Sequence, residues 1–127
     1  MLIDATFLIG FSLLLLRIII AIIFFSSGKN HILNAEERAD SIGMSTKSTK
    51  VLGIIEVIAA VSLALGIFTQ IGAIIVILIM LGAIYKKTVE WKTEFFAEEG
   101  YGWHYDVFLL AGSLVILATS GGYLTFY

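Results

Sequence analysis

The sequence predicts an all-α integral membrane protein. The expected architecture is a four-helix bundle with two long loops on one side and a short turn between the second and third helices. Three observations carry this. The chain of 127 residues is 59% apolar and 14% charged, with a mean hydropathy of +0.99, whereas soluble domains run at roughly 45–50% apolar and 25% charged. Its charges are bunched: residues 7–28 hold only Arg17, residues 51–85 only Glu56, and residues 107–127 none. The uncharged stretches also match the length a helix needs to cross hydrocarbon, about 20 residues.

Taken in order, the first span is expected at residues 7–27. No basic region precedes it, so it reads as a retained helix and not as a cleaved signal. The stretch 51–85 is too long for one crossing at about 1.5 Å per residue. It is expected to form two short helices, 51–68 and 71–85, around a turn marked by Gly66, Thr69, Gln70 and Gly72. The fourth helix is expected at 107–124. The whole chain, 1–127, reads as a single membrane domain. The length of these runs and their leucine and alanine content favour helices over buried strands. With no proline, none of them is proline-kinked.

Two polar segments, 29–50 and 86–106, separate the spans. With four crossings both lie on one side of the membrane, and every Lys and Arg except Arg17 falls in them. The positive-inside rule therefore places these loops in the cytoplasm and both termini outside, in a multi-pass protein of the cell membrane. A net charge of −2 offers no basic patch for nucleic acid. The absence of cysteine excludes disulfides, thiol redox chemistry and iron–sulfur clusters.

Arg17 and Glu56 are the first candidates for a site. An ionisable side chain inside a span costs roughly 2.5–3.5 kcal/mol at the helix centre and usually pairs. The first two helices are antiparallel neighbours, so an Arg17–Glu56 pair is expected, with Lys29 or His104 as other partners for Glu56. Such a pair either fixes helix packing or forms a polar site that binds a head group or relays protons. His31 follows the first helix, and His104, Tyr105 and Asp106 open the last one. With Glu56 and Lys29 they lie on the loop side and make a polar basin there possible. Asp106 also suits the positive end of its helix. Nothing in the histidine spacing demands haem or a metal, and no metal site is expected.

The second loop is rich in aromatics. Trp91, Phe95, Phe96, Tyr101 and Trp103 are read as interfacial anchors, with Trp91 and Phe95 on one face of an amphipathic helix. A lid over an apolar ligand such as a quinone ring is the competing account. Small residues mark packing faces: Ala60 and Ala64, Ser62 and Gly66, Gly82 and Ala83, and the run Ala111-Gly112-Ser113.

The ordered set of fragments resembles the DoxX family of small membrane proteins. The first helix carries Leu13 to Leu16 followed by Arg17, then Phe24-Phe25 and Gly28-Lys29. The second carries Gly53 to Glu56, then Leu65-Gly66 and Gln70-Ile71-Gly72-Ala73. Phe95-Phe96-Ala97, Gly100 to Tyr105 and a leucine-rich run ending in Gly121-Gly122 complete it. The resemblance spans nearly the whole chain. It implies a four-helix membrane bundle in which Arg17 and Glu56 match the family's intramembrane charged positions. The family includes a subunit of thiosulfate:quinone oxidoreductase. Gln70 departs from the pattern, standing where a basic residue is common.

Three functional readings follow. The first is a membrane module of a redox-linked complex that binds a quinone or lipid, with no intrinsic cofactor, and that is not an enzyme on its own. The second is a structural accessory subunit of a larger membrane complex. The third is a homo-oligomeric carrier of a small solute or protons. The bilayer is a partner in all three, and partner subunits or further copies of the chain complete them.

Overall fold

In the computed structural model, which describes residues 3–98, 100–122 and 125, regular structure is helical. After a short 3₁₀ turn, Thr6–Leu8, come α1 (Ile9–Leu33), α2 (Ala35–Ile42), α3 (Thr46–Leu65), α4 (Thr69–Tyr85) and α5 (Trp103–Thr119). A π-helical turn, Lys86–Glu90, extends α4. Three continuous helical stretches, Thr6–Leu33, Thr46–Leu65 and Thr69–Glu90, are long and apolar enough to cross a membrane; α5 is apolar but has 17 residues.

The first polar segment is not a loop. α1 runs on to Leu33, α2 follows, and α3 begins at Thr46. Local chemistry explains this. Ser45 caps α3 by accepting the Ser48 N–H at 3.1 Å. Gly43 ends α2 with a φ of 71°, while the Met44 N–H reaches back to the Ala39 carbonyl. α2 buries only Ala35 and Ala39, one helical turn apart, and leaves its carboxylates outside.

The turn between α3 and α4 is shorter than expected. It comprises Gly66, Ile67 and Phe68, and Thr69, Gln70 and Gly72 belong to α4. Gly66 (φ 74°) and Phe68 (φ 51°) both adopt the left-handed region. The Ser62 hydroxyl donates to the carbonyls of Ile67 and Phe68, holding the turn down. At the other end of the chain, α5 starts at Trp103 and stops at Thr119, where Ser120 turns left-handed. The expected end at 124 is therefore too long; Tyr123 and Leu124 themselves lie outside the described residues.

α1 packs along α3, α4 along α5, α3 against α4, and α1 against α5. The core between them is Ile20, Phe24, Leu63, Val76 and Ile116 with small Ala59, Ala60 and Ala73. The outward faces are apolar: Phe11, Ile22, Leu78 and Phe108 are all exposed. Meanwhile Arg17, Glu56, Asp106 and Ser113 are buried. Apolar outside and polar inside is the arrangement of a bundle whose solvent is lipid.

The closest approach sets the register. Gly28 of α1 and Gly53 of α3 face each other: a Cβ on Gly28 would sit 2.6 Å from the Gly53 carbonyl oxygen, and one on Gly53 would sit 2.7 Å from that of Gly28. Only residues without a side chain fit there.

Candidate functional site

The Gly28–Gly53 crossing builds the buried acid–base pair. Three residues beyond each glycine stand His31 and Glu56. The helices run antiparallel, and each Cα–Cβ bond leans toward its own N-terminus. Both side chains therefore lean back toward the crossing and meet there. The His31 Nδ1–H donates to the Glu56 carboxylate at 2.5 Å, with 9% and 3% of the two side chains exposed.

This overturns the expected Arg17–Glu56 pair. With Gly28 level with Gly53, Arg17 lies about 12 Å further along the bundle than Glu56, at 1.5 Å per residue. Its side chain leans toward the N-terminus of α1, away from the carboxylate. Arg17 instead donates from Nη1 to the Gly121 carbonyl at 3.1 Å. Two more side-chain bonds close that end of the bundle. Thr69 Oγ1 donates to the Ser120 carbonyl at 2.8 Å, and Gln70 Nε2 donates to that of Leu117 at 2.9 Å. These bonds satisfy backbone oxygens that the end of α5 leaves without helical partners.

A second buried carboxylate lies near the first. Asp106, in the first turn of α5, pairs with Lys87 at 2.8 Å. Lys87 Nζ also stands 5.7 Å from the centre of the Tyr105 ring, and Tyr105 stacks on Tyr101 with ring centres 4.4 Å apart. The neighbouring Lys86 donates to the Ile42 carbonyl at 3.1 Å, tying α4 to the end of α2, and lies 3.5 Å from Glu90.

Between these groups opens a cavity of about 720 Å³. Ligand pockets span roughly 300–1,000 Å³. One end is polar, with His31, Glu56, Asp106, Lys86, Lys87 and Arg38 in its wall. Ile23 of α1 and Leu78 of α4 line the other end. Each lies eight residues, about 12 Å, deeper than His31 and Lys86 on the same helices. Trp91, Tyr101 and Tyr105 complete the wall near the polar end.

The structure thus gathers His31, Glu56, Tyr105 and Asp106, with Tyr101 and Trp91, and leaves three candidates elsewhere. Lys29 is exposed on α1 and does not line the cavity. Arg17 belongs to the opposite end. His104 donates from Nδ1 to the Phe95 carbonyl at 2.5 Å and packs on the Phe96 ring at 4.7 Å. The expected amphipathic helix through Trp91 and Phe95 does not form, since Lys92 takes a φ of 51° and residues 91–98 are irregular. Phe95, Phe96, Trp103 and His104 cluster with one another. The Glu94 and Phe95 carbonyls accept the first N–H groups of α5, from Trp103 and His104.

Among the cavity residues that the sequence does not single out as a site, Arg38, Gly82 and Ala83 bear on what the cavity can hold. Arg38 lies in the first polar segment, where a loop is expected; the signal for it is that it is the only arginine outside the spans. Gly82 and Ala83 are expected on a packing face. They line the cavity, and a Cβ on Gly82 would meet nothing within 4 Å.

The model of the DoxX family matches residues 12–91, which include most of α1 and all of α2, α3, α4 and the π turn. Comparison with curated proteins and with solved structures gave no match.

Proposed function

The chain belongs to the DoxX family, and we propose that it is a membrane module that holds a lipid-soluble amphiphile, of the quinone or lipid class, in the cavity beside Glu56 and Asp106. The observation that carries this reading is the two-ended lining. His31 and Lys86 stand at one end, Ile23 and Leu78 lie about 12 Å deeper on the same helices, and Glu56 lies between. A molecule with a polar head and an apolar body fits such a lining, because each end is desolvated against its own kind.

In this reading α1, α3, α4 and α5 all cross the bilayer. α5 spans about 25 Å, somewhat less than the roughly 30 Å of hydrocarbon, and local thinning accommodates the difference. α2 and the segment after the π turn lie on the cytoplasmic side, where all the lysines are. The chain has no cysteine to carry thiol or iron–sulfur redox chemistry. A bound quinone would therefore exchange electrons with a partner subunit, and the module would serve a redox-linked complex without being its catalyst.

Native mass spectrometry of protein extracted gently from its own membrane tests this, with wild type measured beside Gly82→Leu. We expect an adduct of quinone or lipid mass on the wild type, lost from the variant whose new side chain fills the cavity, and co-released partner polypeptides. The absence of any adduct from wild type, or its persistence in Gly82→Leu, refutes the cavity as the ligand site.

A further inference from the structure

Resting on that reading of the cavity, we infer that its ligand carries an anionic head, a carboxylate or a phosphate, and that Arg38 is the residue that binds it. What decides this is which groups in the wall already have partners. Each buried carboxylate already has its partner: Glu56 has His31 at 2.5 Å and Asp106 has Lys87 at 2.8 Å. Lys86 is taken up by the Ile42 carbonyl and Glu90. Arg38 is left over. Among the described residues it forms no ion pair, and its Nε is buried without a hydrogen-bond partner.

Its position on α2 explains why. Ala35 and Ala39 pin the helix down, Glu36, Glu37 and Asp40 are exposed, and Arg38 and Ser41 face the cavity. The carboxylates of α2 sit one or two positions from Arg38, spacings that do not bring side chains together on a helix. A guanidinium always carries its charge and presents donors in a planar fork that matches a carboxylate or phosphate. Placed at the polar mouth of the cavity, it narrows that reading to an acidic lipid and selects it over neutral amphiphiles, quinones included.

Photo-crosslinking in neutral phosphatidylcholine vesicles tests the inference. The probes are a diazirine fatty acid, the corresponding diazirine alcohol with the same tail, and a diazirine phosphatidic acid. The readout is labelling at Ile79 and Met80 in the cavity wall, divided by labelling of the peptide around lipid-facing Phe108. That ratio cancels the probes' different partitioning into the membrane.

We expect an acidic probe to exceed the alcohol by about tenfold or more, the scale of one charge-assisted hydrogen-bonded contact. The better of the two acidic probes identifies the head as carboxylate or phosphate. Arg38→Gln should bring it down to the level of the alcohol, Arg38→Lys should keep part of the preference, and Gly82→Leu should abolish cavity labelling by every probe. Equal labelling by acids and alcohol, or a preference that survives Arg38→Gln, overturns the anionic head and leaves the cavity reading standing. No cavity labelling by any probe overturns both.

Discussion

Gly53→Ala tests the crossing on which the site depends. A new Cβ would lie 2.7 Å from the Gly28 carbonyl oxygen, 2.9 Å from the His31 Cβ and 2.9 Å from Ile32 Cγ1. A carbon and a carbonyl oxygen rest no closer than about 3.3 Å, so α1 and α3 must separate by roughly 0.6 Å. The nearest obstacle is backbone, and no rotamer change moves it. Overpacking of this kind costs about 1–3 kcal/mol, and a rigid neighbour puts the cost at the upper end. Replacing a mid-helix glycine by alanine returns up to about 1 kcal/mol. The net expectation is a destabilisation of about 2 kcal/mol, close to thirtyfold in the unfolding equilibrium. Gly82→Ala is the control, because its Cβ meets nothing; it should be neutral or slightly stabilising. Reversible unfolding in mixed micelles, followed by far-UV circular dichroism, measures both. A Gly53→Ala variant within about 0.5 kcal/mol of wild type would refute the close approach, and with it the account of how His31 and Glu56 meet.

Other predictions concern the buried charges. Glu56→Ala and His31→Ala should each cost about 3–5 kcal/mol, since each strands the other member of a buried pair, while the double variant should cost clearly less than their sum in the same unfolding assay. Arg17→Leu combined with Glu56→Ala should instead be additive within about 0.5 kcal/mol, because the two residues lie about 12 Å apart along the bundle; strong coupling between them would restore the pair expected from sequence. Lys87→Met should destabilise by leaving Asp106 buried without its cation, and adding Asp106→Asn should recover part of the loss; a neutral Lys87→Met would show that the 2.8 Å contact contributes nothing. The cysteine-free chain also permits a direct test of orientation: single cysteines at Lys47 or Lys92 should react with an impermeant maleimide only from the cytoplasmic side, and one at Asp4 only from outside.

Composition and charge spacing made the helices legible, because lipid demands long uncharged segments and the chain supplies them. Register was not legible. Arg17 and Glu56 looked like partners while α1 was taken to end near residue 27 and α3 to start at 51. The true ends, Leu33 and Thr46, shift the crossing to Gly28 and Gly53, and a few residues of shift at 1.5 Å each decide which side chains meet. The missed signals were local ones. Ser45 with Ser48 is a helix start, Gly43 is a helix stop, and together they turn the first polar loop into α2. The loop aromatics misled for the opposite reason. Their spacing fits a helix, but Gly102 lies so close to the backbone of Glu94 and Phe95 that the chain folds back onto the start of α5.

The two ends of the bundle differ in how their polar groups are satisfied, and that difference gives the molecule a direction. At the end near Arg17, side chains of α1 and α4 donate to backbone oxygens at the close of α5, by contacts of 3.1, 2.8 and 2.9 Å. Those groups are committed to holding helices together. At the other end, two carboxylates have partners in the wall, Arg38 forms no ion pair among the described residues, and about 720 Å³ stands open beside them. Glycine serves both ends of this logic. At positions 28 and 53 it lets backbones touch and fixes the acid–base pair, and at position 82 it leaves the volume that a side chain would fill. On the proposed reading, an acidic head group bound at Arg38 would supply the partner that its buried Nε lacks and offset the cost of leaving it unpaired.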